Sequence, residues 1–224
     1  MENIFSKYNK ILVFDTETTG ISCKYHEIIQ FSSVMAEMTE YGMVVSDSLD
    51  LLITLSPEKT VPPEITKLTG ITQQDIDARG VSKKEAARAI AARIQACDLL
   101  AAYNAQFDLT FLFYLLSAHG DFSCLAGKDK LDLLTVYKDR RPYPHRLCNA
   151  IEGYGLTGVS NSHQAQDDAL AAARLMEAME QEKQDLISYV NLFGYNPKYG
   201  VPRPPIRSIT YKPQYYNPAA PLYL

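Results

Sequence analysis

Phe14-Asp15-Thr16-Glu17-Thr18-Thr19-Gly20 carries two acidic residues two positions apart, and it overlaps the end of the largely apolar run Lys10-Ile11-Leu12-Val13-Phe14. The run predicts a β-strand. Residues i and i+2 of a strand point to the same face, so Asp15 and Glu17 present their carboxylates side by side. Gly20 lets the chain turn just afterwards. Because two adjacent carboxylates need a cation, and hard oxygen ligands favour Mg²⁺ or Mn²⁺, the stretch predicts the start of a metal site.

Two further acidic motifs follow in order along the chain. Asn104-Ala105-Gln106-Phe107-Asp108 comes after the apolar segment Leu99-Leu100-Ala101-Ala102-Tyr103. His163-Gln164-Ala165-Gln166-Asp167-Asp168 opens the Ala-rich run from Ala169 to Met179. A lone D-x-E more often caps a strand than binds a metal, but three acidic motifs in one order favour a site.

With these motifs the chain resembles the DnaQ-like, or DEDD, 3′-to-5′ exonucleases, in the DEDDh branch whose third motif is H-x-A-x-x-D. Within that family it looks most like the proofreading epsilon subunits of bacterial replicative DNA polymerases. The resemblance runs from about Lys10 to about Glu180 and includes Leu68-Thr69-Gly70-Ile71-Thr72 and Leu131-Asp132-Leu133. It implies that His163 is the general base. The metal-binding carboxylates that it implies are Asp15, Glu17, Asp108 and Asp168.

The chemistry of phosphodiester hydrolysis agrees with this set of residues. Two divalent ions held about 4 Å apart activate a water molecule and stabilise the leaving 3′-oxygen. Four carboxylates balance the charge of two such ions. An imidazole with an unperturbed pKa of about 6.5, such as that of His163, accepts a proton from water near neutral pH. The sequence therefore predicts a two-metal Mg²⁺ or Mn²⁺ exonuclease that releases nucleoside 5′-monophosphates from the 3′ end of DNA.

The resemblance also implies a slot for the terminal nucleotide. Its expected side chains are Thr18, Thr19, Leu68, Thr69, Asn104 and Phe107. Thr18 and Thr19 would meet the 3′-hydroxyl, with Leu68 and Thr69 as the opposite wall. Asn104 would hold its loop by a hydrogen bond, and Phe107 would stack on the last sugar or base, with a core role as its alternative. The expected partners are nucleic acid 3′ ends, with single-stranded DNA favoured, and a DNA polymerase.

Two rival functions differ from this one. A nuclease-like binding module without catalysis would be expected to lack at least one acid or the histidine, and all five residues are present. An RNA-directed exonuclease of the same fold is harder to separate, because discrimination depends on contacts to the 2′ position. The Thr18-Thr19-Gly20 ending is more like the DNA-directed type.

Length and composition agree with one α/β domain of about 180 residues, and the resemblance makes residues 1–185 the expected exonuclease domain. The 224 residues are 46% hydrophobic, enough for one ample core. No basic region followed by a long apolar stretch opens the chain, and the segment Leu109 to Ala118 is far shorter than the ~20 residues that cross a bilayer. We therefore expect a cytoplasmic protein with no membrane contact. Four scattered cysteines without a C-x-x-C pair predict reduced, buried thiols: Cys23, Cys97, Cys124 and Cys148.

Periodicity and turn signals predict an antiparallel start followed by alternating helices and strands. The predicted strands are 10–16, about 28–38, about 43–54, 98–102 and 130–134. The predicted helices are 63–68, 73–78, 82–96, 106–118, near 146–154 and 166–182. Ser82 and Glu85 match a capping box. This order fits the ribonuclease H-like mixed five-stranded sheet, flanked by helices, that the family uses.

A C-terminal extension, residues 186–224, differs in composition from the rest. It has no Asp or Glu and carries Lys198, Arg203, Arg207 and Lys212, so its charge is +4 whereas residues 1–185 carry −8. Seven prolines and six tyrosines occur from Tyr195 onward, and the stretch 200–207 predicts neither a helix nor a central strand. The extension could track single-stranded nucleic acid, dock on a partner, or pack across its own domain. Packing is favoured, because Ile206, Ile209 and Leu222 supply apolar surface.

Overall fold

The structure, a computed structural model, describes residues 3–159 and 164–224. At its centre lies a five-stranded sheet. The strands are β1 (Lys10–Thr18), β2 (Ile28–Thr39), β3 (Gly42–Leu52), β4 (Leu99–Ala102) and β5 (Asp129–Asp132). Their order is β3-β2-β1-β4-β5, with β1, β2 and β3 antiparallel and β1, β4 and β5 parallel. The predicted mixed sheet of five strands is confirmed.

Helices cover both faces of the sheet. In the described part of the chain they are α1 (Ile4–Lys7), α2 (Pro63–Thr69), α3 (Gln73–Arg79), α4 (Lys83–Ala96), α5 (Ala105–His119), α6 (Ser123–Ala126), α7 (Leu133–Arg140), α8 (Leu147–Gly153) and α9 (Ala165–Glu182). A short 3₁₀ helix follows at Leu186–Tyr189. The six predicted helices agree with α2, α3, α4, α5, α8 and α9 to within two residues at each end. The predicted capping box of Ser82 and Glu85 starts α4.

The prediction of a strand over 130–134 was wrong at its end, because a helix starts inside it. β5 ends at Asp132, and this side chain accepts hydrogen bonds from the N–H groups of Leu134 (3.3 Å) and Thr135 (3.2 Å). An Asp that accepts such bonds is an N-cap. Leu133 and Leu134 therefore open α7, which the sequence reading missed because two leucines continued an apolar run.

Alternation along β1 divides the core into two layers. Ile11 and Val13 belong to the apolar cluster that includes residues of α7, α8 and α9. Leu12 and Phe14 belong to a second cluster, with residues of α4 and α5. Side chains of a strand alternate between its faces, so odd-numbered residues of β1 face α9 and even-numbered residues face α5. This parity decides where each residue of the acidic stretch points.

The C-terminal segment packs on the rest of the chain, as predicted. Its strands β6 (Leu192–Tyr195) and β7 (Thr210–Pro213) form a parallel pair next to β5. Ile206 and Ile209 pack on the α4–α5 layer, and Leu222 packs on the α7–α9 layer. The division into a domain over 1–185 and an extension over 186–224 stays a prediction.

The cysteines form no disulfide, and they differ in exposure. Cys97 is buried, but Cys148 is exposed, so the prediction of buried thiols was wrong for Cys148. It lies in α8, a short helix of which only one side packs on the core. Within residues 3–159 and 164–224, we find no helix whose length and apolar character would suit a membrane span.

Candidate active site

Three carboxylates meet at the end of β1. Asp15 and Glu17 are on the strand face that points to α9, and Asp168 is in the first turn of α9. One oxygen from each side chain lies within 4.8 Å of the others. Asp168 is buried, and Asp15 and Glu17 are half-buried. Strand parity and the first turn of one helix thus bring together three of the four predicted metal ligands.

The fourth acid, Asp108, reaches the same strand from the opposite layer. It lies in the first turn of α5, as the helix predicted over 106–118 required, and it is buried. Its Oδ1 atom accepts a hydrogen bond from the backbone N–H of Thr16 (3.0 Å) and another from the Thr16 hydroxyl (2.6 Å). Thr16 is the even-numbered residue between Asp15 and Glu17 and faces α5. Asp108 is therefore hydrogen-bonded to the middle of the acidic stretch from the α5 face, opposite the α9 face on which the other three acids lie.

Burial and mutual repulsion make this group of acids hard to ionise. Burial first, and then the charges of Asp168 and Asp108, together raise the pKa of Glu17 to about 8. The pKa of Asp15 is also well above its usual value, because of burial first and then Asp108, Glu17 and Asp168. Burial raises the pKa of Asp108 to about 7, although the hydrogen bonds from Thr16 oppose the shift. Crowded carboxylates of this kind need a cation to be ionised together.

The donor set fits a divalent cation. Carboxylate oxygens are hard ligands that suit Mg²⁺, Mn²⁺ and similar ions. Among the described side chains, none forms an ion pair or hydrogen bond with the carboxylate of Asp15 or Glu17. Their charge is therefore left for an ion from solution, with Asp168 and Asp108 as the other residues able to hold it.

Asp132 holds the start of α5, a role that the sequence reading missed. Its Oδ1 atom accepts the backbone N–H groups of Asn104 and Ala105, both at 3.0 Å. Its other oxygen accepts the N–H and the hydroxyl of Thr135. One buried carboxylate thus fixes the first turns of α5 and α7 together. Asp132 followed three residues later by Thr135 was a capping signal, but its contact with α5 joins residues far apart in sequence.

Gln30 holds the start of α9, and it too was missed. It lies on β2 opposite Glu17 and is buried. Its Oε1 atom accepts the N–H of Ala165 at 3.2 Å, while its Nε2 donates to Asp50 at 2.9 Å. No local pattern could have predicted this contact, because 135 residues separate Gln30 from Ala165.

Thr18 and Thr19, predicted to contact the 3′-hydroxyl, are both buried. The Thr18 hydroxyl donates to the carbonyl oxygen of Gly20 at 2.8 Å, and the Thr19 hydroxyl lies 3.2 Å from Nδ1 of His26. A Cβ atom on Gly20 would come within 2.6 Å of the His26 ring. Gly20 is thus needed for close approach of His26 to the turn after β1.

Leu68 and Thr69 end helix α2. Thr69 is buried and its hydroxyl donates to the carbonyl oxygen of Ile65 at 2.9 Å, whereas Leu68 is 49% exposed. Gly70 caps the helix with φ = 76°, a left-handed conformation that favours glycine. Leu68 therefore presents apolar surface to solvent, whereas Thr69 is buried behind it.

The structure gives Asn104 and Phe107 different surroundings. Asn104 is exposed with φ = 70°; its backbone N–H donates to Asp132 at 3.0 Å, and its carbonyl oxygen accepts the N–H of Phe107 at 2.9 Å. Phe107 is half-buried, with its ring centroid 4.9 Å from that of Phe111. His163, the predicted general base, lies outside the described residues.

Comparison with known proteins decides the family. Residues 12–176 match the family model RNase_T, described as Exonuclease. The chain belongs to this exonuclease family. It is 28% identical over 177 residues to the DNA polymerase III subunit epsilon of Treponema pallidum, with 74% of each protein covered. It is 26% identical over 194 residues to a PolC-type DNA polymerase III of Latilactobacillus sakei, covering 85% of this chain but 12% of that polymerase. The DnaQ-like resemblance is confirmed.

The fold matches that of a solved nuclease. E. coli Exonuclease I, in its zinc-bound complex with single-stranded DNA, superposes with a TM-score of 0.70 at 20% identity. The match covers 81% of this chain and 42% of Exonuclease I. The ribonuclease H-like fold is thereby confirmed. The chain spans only a small part of the PolC-type polymerases and less than half of Exonuclease I.

Proposed function

We propose that this chain is a divalent-metal-dependent 3′-to-5′ exonuclease that releases nucleoside 5′-monophosphates from single-stranded DNA ends. The observation that carries the proposal is the meeting of Asp15, Glu17 and Asp168 within 4.8 Å. Asp108 stands on the other side of the same strand, bonded to Thr16. Membership in the exonuclease family supports the same reaction class.

Each group of the chain has a defined part in the proposed reaction. Two Mg²⁺ or Mn²⁺ ions held by the carboxylates would supply Lewis acidity toward the attacking water and the leaving 3′-oxygen. His163 is proposed to accept the proton of the attacking water. Asp108, fixed by Thr16, and Asp168, fixed on α9, would keep the ligand oxygens in place without reorganisation.

The terminal nucleotide is proposed to lie between the turn after β1 and the end of α2. The exposed side chain of Leu68 would pack on the last base, with Thr69 behind it. Backbone groups near Thr18 and Thr19 would contact the 3′-hydroxyl. Phe107 and Asn104, at the start of α5, would border the last sugar.

DNA is the proposed substrate because two relatives point to it. The epsilon subunit of Treponema pallidum is a component of DNA polymerase III, and E. coli Exonuclease I binds single-stranded DNA. By the same reasoning a DNA polymerase is a proposed partner. Proofreading and repair both require removal of nucleotides from a 3′ end, and either role would use the same site.

Digestion of 5′-labelled strands tests the proposal. Single-stranded DNA, duplex DNA and RNA of matched sequence are incubated with Mg²⁺ or Mn²⁺, and the Asp15→Asn variant is the control. We expect stepwise shortening of single-stranded DNA and its loss in the variant. Preferred shortening of RNA would replace the DNA assignment with an RNA-directed exonuclease. No metal-dependent cleavage of any strand would contradict catalysis and leave a binding module.

A further inference from the structure

The loop between β6 and β7, residues 196–209, lies against the active-site end of α5. Gln106, in the first turn of α5, donates from Nε2 to the carbonyl oxygen of Pro204 at 3.0 Å. The Tyr211 hydroxyl donates to Oε1 of Gln106 at 2.5 Å and accepts the N–H of Ile206 at 2.9 Å. Both ends of the Gln106 amide therefore bind the C-terminal segment, two residues before Asp108.

Further contacts fix this loop along its length. Ile209 is buried, and Ile206 packs beside it on the α4–α5 layer. The buried Lys130 donates from Nζ to the Ser208 hydroxyl at 3.1 Å. Pro204, which follows Arg203, and Ile206 and Ser208, on the two sides of Arg207, are anchored by these contacts, so the backbone from Arg203 to Arg207 is held against α5.

Arg203 and Arg207 are exposed on this anchored loop. In the described part of the chain, neither guanidinium has an ion-pair or hydrogen-bond partner. Five other arginines are in ion pairs: Arg79, Arg93, Arg140, Arg141 and Arg174. A free guanidinium is a planar, always charged donor that matches phosphate oxygens.

The rest of the molecule gives a reason for cations at this position. Residues 1–185 carry a net charge of −8, whereas residues 186–224 carry +4 and no acidic side chain. A nucleic acid strand that places its 3′ end among the carboxylates is repelled by the core along its remaining phosphates. Attraction for those phosphates has to come from outside the acidic core, and the anchored loop borders the site.

We propose that Arg203 and Arg207 form a phosphate-binding rim that holds the backbone of a single strand upstream of its 3′-terminal nucleotide. This inference rests on the proposed function. It predicts that strand length matters: a dinucleotide would be bound at the carboxylates alone, whereas a strand of about 12 nucleotides would also contact the rim.

Binding without cleavage tests the rim directly. The dissociation constant of a fluorescent oligothymidylate of about 12 nucleotides is measured in EDTA over a range of salt concentrations. For the double variant Arg203→Gln/Arg207→Gln we expect about tenfold weaker binding. The slope of log K against log salt should become shallower by about 1.4, because each phosphate contact on a single strand contributes about 0.7.

Arg88→Gln is the matched control, since it removes the same charge from an exposed arginine elsewhere. Ala87, the residue before Arg88, lies close to Gly120, which follows the end of α5 opposite to the end that carries Gln106. We expect no change in this variant. Equal binding by the double variant and Arg88→Gln would overturn the proposal, as would undetectable binding by the wild-type chain at low salt.

Kinetics separate a failure of the rim from a failure of the proposed function. For the longer strand the double variant should raise KM about tenfold with kcat unchanged, and its hydrolysis of a dinucleotide should equal that of wild type. An equal loss on the dinucleotide would overturn the rim by assigning the arginines to the chemistry. If the wild-type chain cleaves nothing, catalysis fails, yet the EDTA measurement still tests the arginines. Tyr211→Phe, which loosens the loop but keeps its charge, should weaken binding of the longer strand in the same direction.

Discussion

The two helices that bring acids to β1 are fixed at their active-site ends in different ways. At α5, the Asp132 carboxylate accepts two backbone N–H groups, and Thr16 donates two hydrogen bonds to Asp108. At α9, the neutral amide of Gln30 accepts one N–H at 3.2 Å. Hydrogen bonds to a carboxylate are about twice as strong as those between neutral groups. The α5 side is therefore the better organised of the two in the absence of metal.

The difference indicates which side of the site a cation completes. On the α9 side, Asp15, Glu17 and Asp168 crowd together. Burial and mutual repulsion raise the pKa of Asp15 and Glu17, so the crowding opposes ionisation. On the α5 side, Asp108 already receives two donors from Thr16. Divalent metal should therefore stabilise the α9 side more than the α5 side.

The largest effect is expected from Glu17→Gln, which removes a proposed ligand on the α9 side. Loss of groups that merely support metal ligands costs about 10- to 100-fold, so loss of a ligand should lower nuclease activity by more than about 100-fold. The variant should also melt higher than wild type at about pH 8 without metal, since one repelling charge is gone. Digestion assays and thermal melts measure the two effects. Activity within tenfold of wild type would contradict the role of Glu17.

A smaller loss, about 10- to 100-fold in activity, is expected from Asp132→Asn. The amide oxygen of the variant side chain can still accept hydrogen bonds either from the α5 backbone or from Thr135. Its NH₂ group then faces N–H or O–H donors on the other side, and two donors cannot form a hydrogen bond with each other. The start of α5 should loosen, and Asp108 should move with it. Steady-state kinetics give the loss in kcat, and urea unfolding gives a stability cost of about 1 to 3 kcal/mol.

Asp129→Asn is the matched control for Asp132, because both acids are on β5. Asp129 starts the strand, and its carboxylate accepts hydrogen bonds from the Tyr8 hydroxyl and from Asn191, neither of which belongs to α5. We expect this variant to lose stability with little loss of kcat. If both variants lose kcat equally, Asp132 acts through general stability and not through α5.

How far the sequence predicted this arrangement depended on the range of each contact. Strand parity predicted that Asp15 and Glu17 share a face. The first turns of two predicted helices contain Asp108 and Asp168, whose roles as metal ligands were implied by the resemblance to the exonuclease family. Gln30 was missed, because its partner is 135 residues away.

The fold shows the same limit. The five strands were predicted, but α7 was missed because Leu133 and Leu134 extended an apolar run whose end is fixed by the Asp132 cap. Local sequence patterns likewise could not predict that the C-terminal loop passes over Gln106, although they identified Ile206 and Ile209 as apolar residues that could anchor it. Composition predicted that the segment packs, and only the structure gives the surface on which it packs.

The pH dependence of stability without metal should reveal the crowding on the α9 side. The folded pKa of Glu17 is about 8 and its ordinary value is 4.5. Between these values the native state holds more protons than the unfolded state, so stability falls as pH rises from about 5 to about 8. We expect the melting temperature to drop by at least about 3 °C over this range.

Mg²⁺ or Mn²⁺ should reverse this drop in melting temperature. The metal should raise the melting temperature more at about pH 8 than at about pH 5, because only ionised carboxylates bind the ion. Glu17→Gln should flatten the profile and reduce the gain. A melting temperature that rises with pH without metal would contradict the crowding of ionisable groups at this site.

The smallest effect is expected from Gln30→Met, which removes the acceptor for Ala165 while keeping side-chain length. Loss of a neutral cap costs about 1 kcal/mol of stability. Activity should fall only several-fold at low Mg²⁺ and recover at high Mg²⁺, because the metal then orders the α9 side. Asp50→Ala, which removes the other partner of Gln30, should leave the Mg²⁺ dependence unchanged. Asp132 acts on the α5 side, which metal does not complete, so high Mg²⁺ should restore little activity to Asp132→Asn. Equal recovery of activity by Gln30→Met and Asp132→Asn would remove the distinction between the two helices.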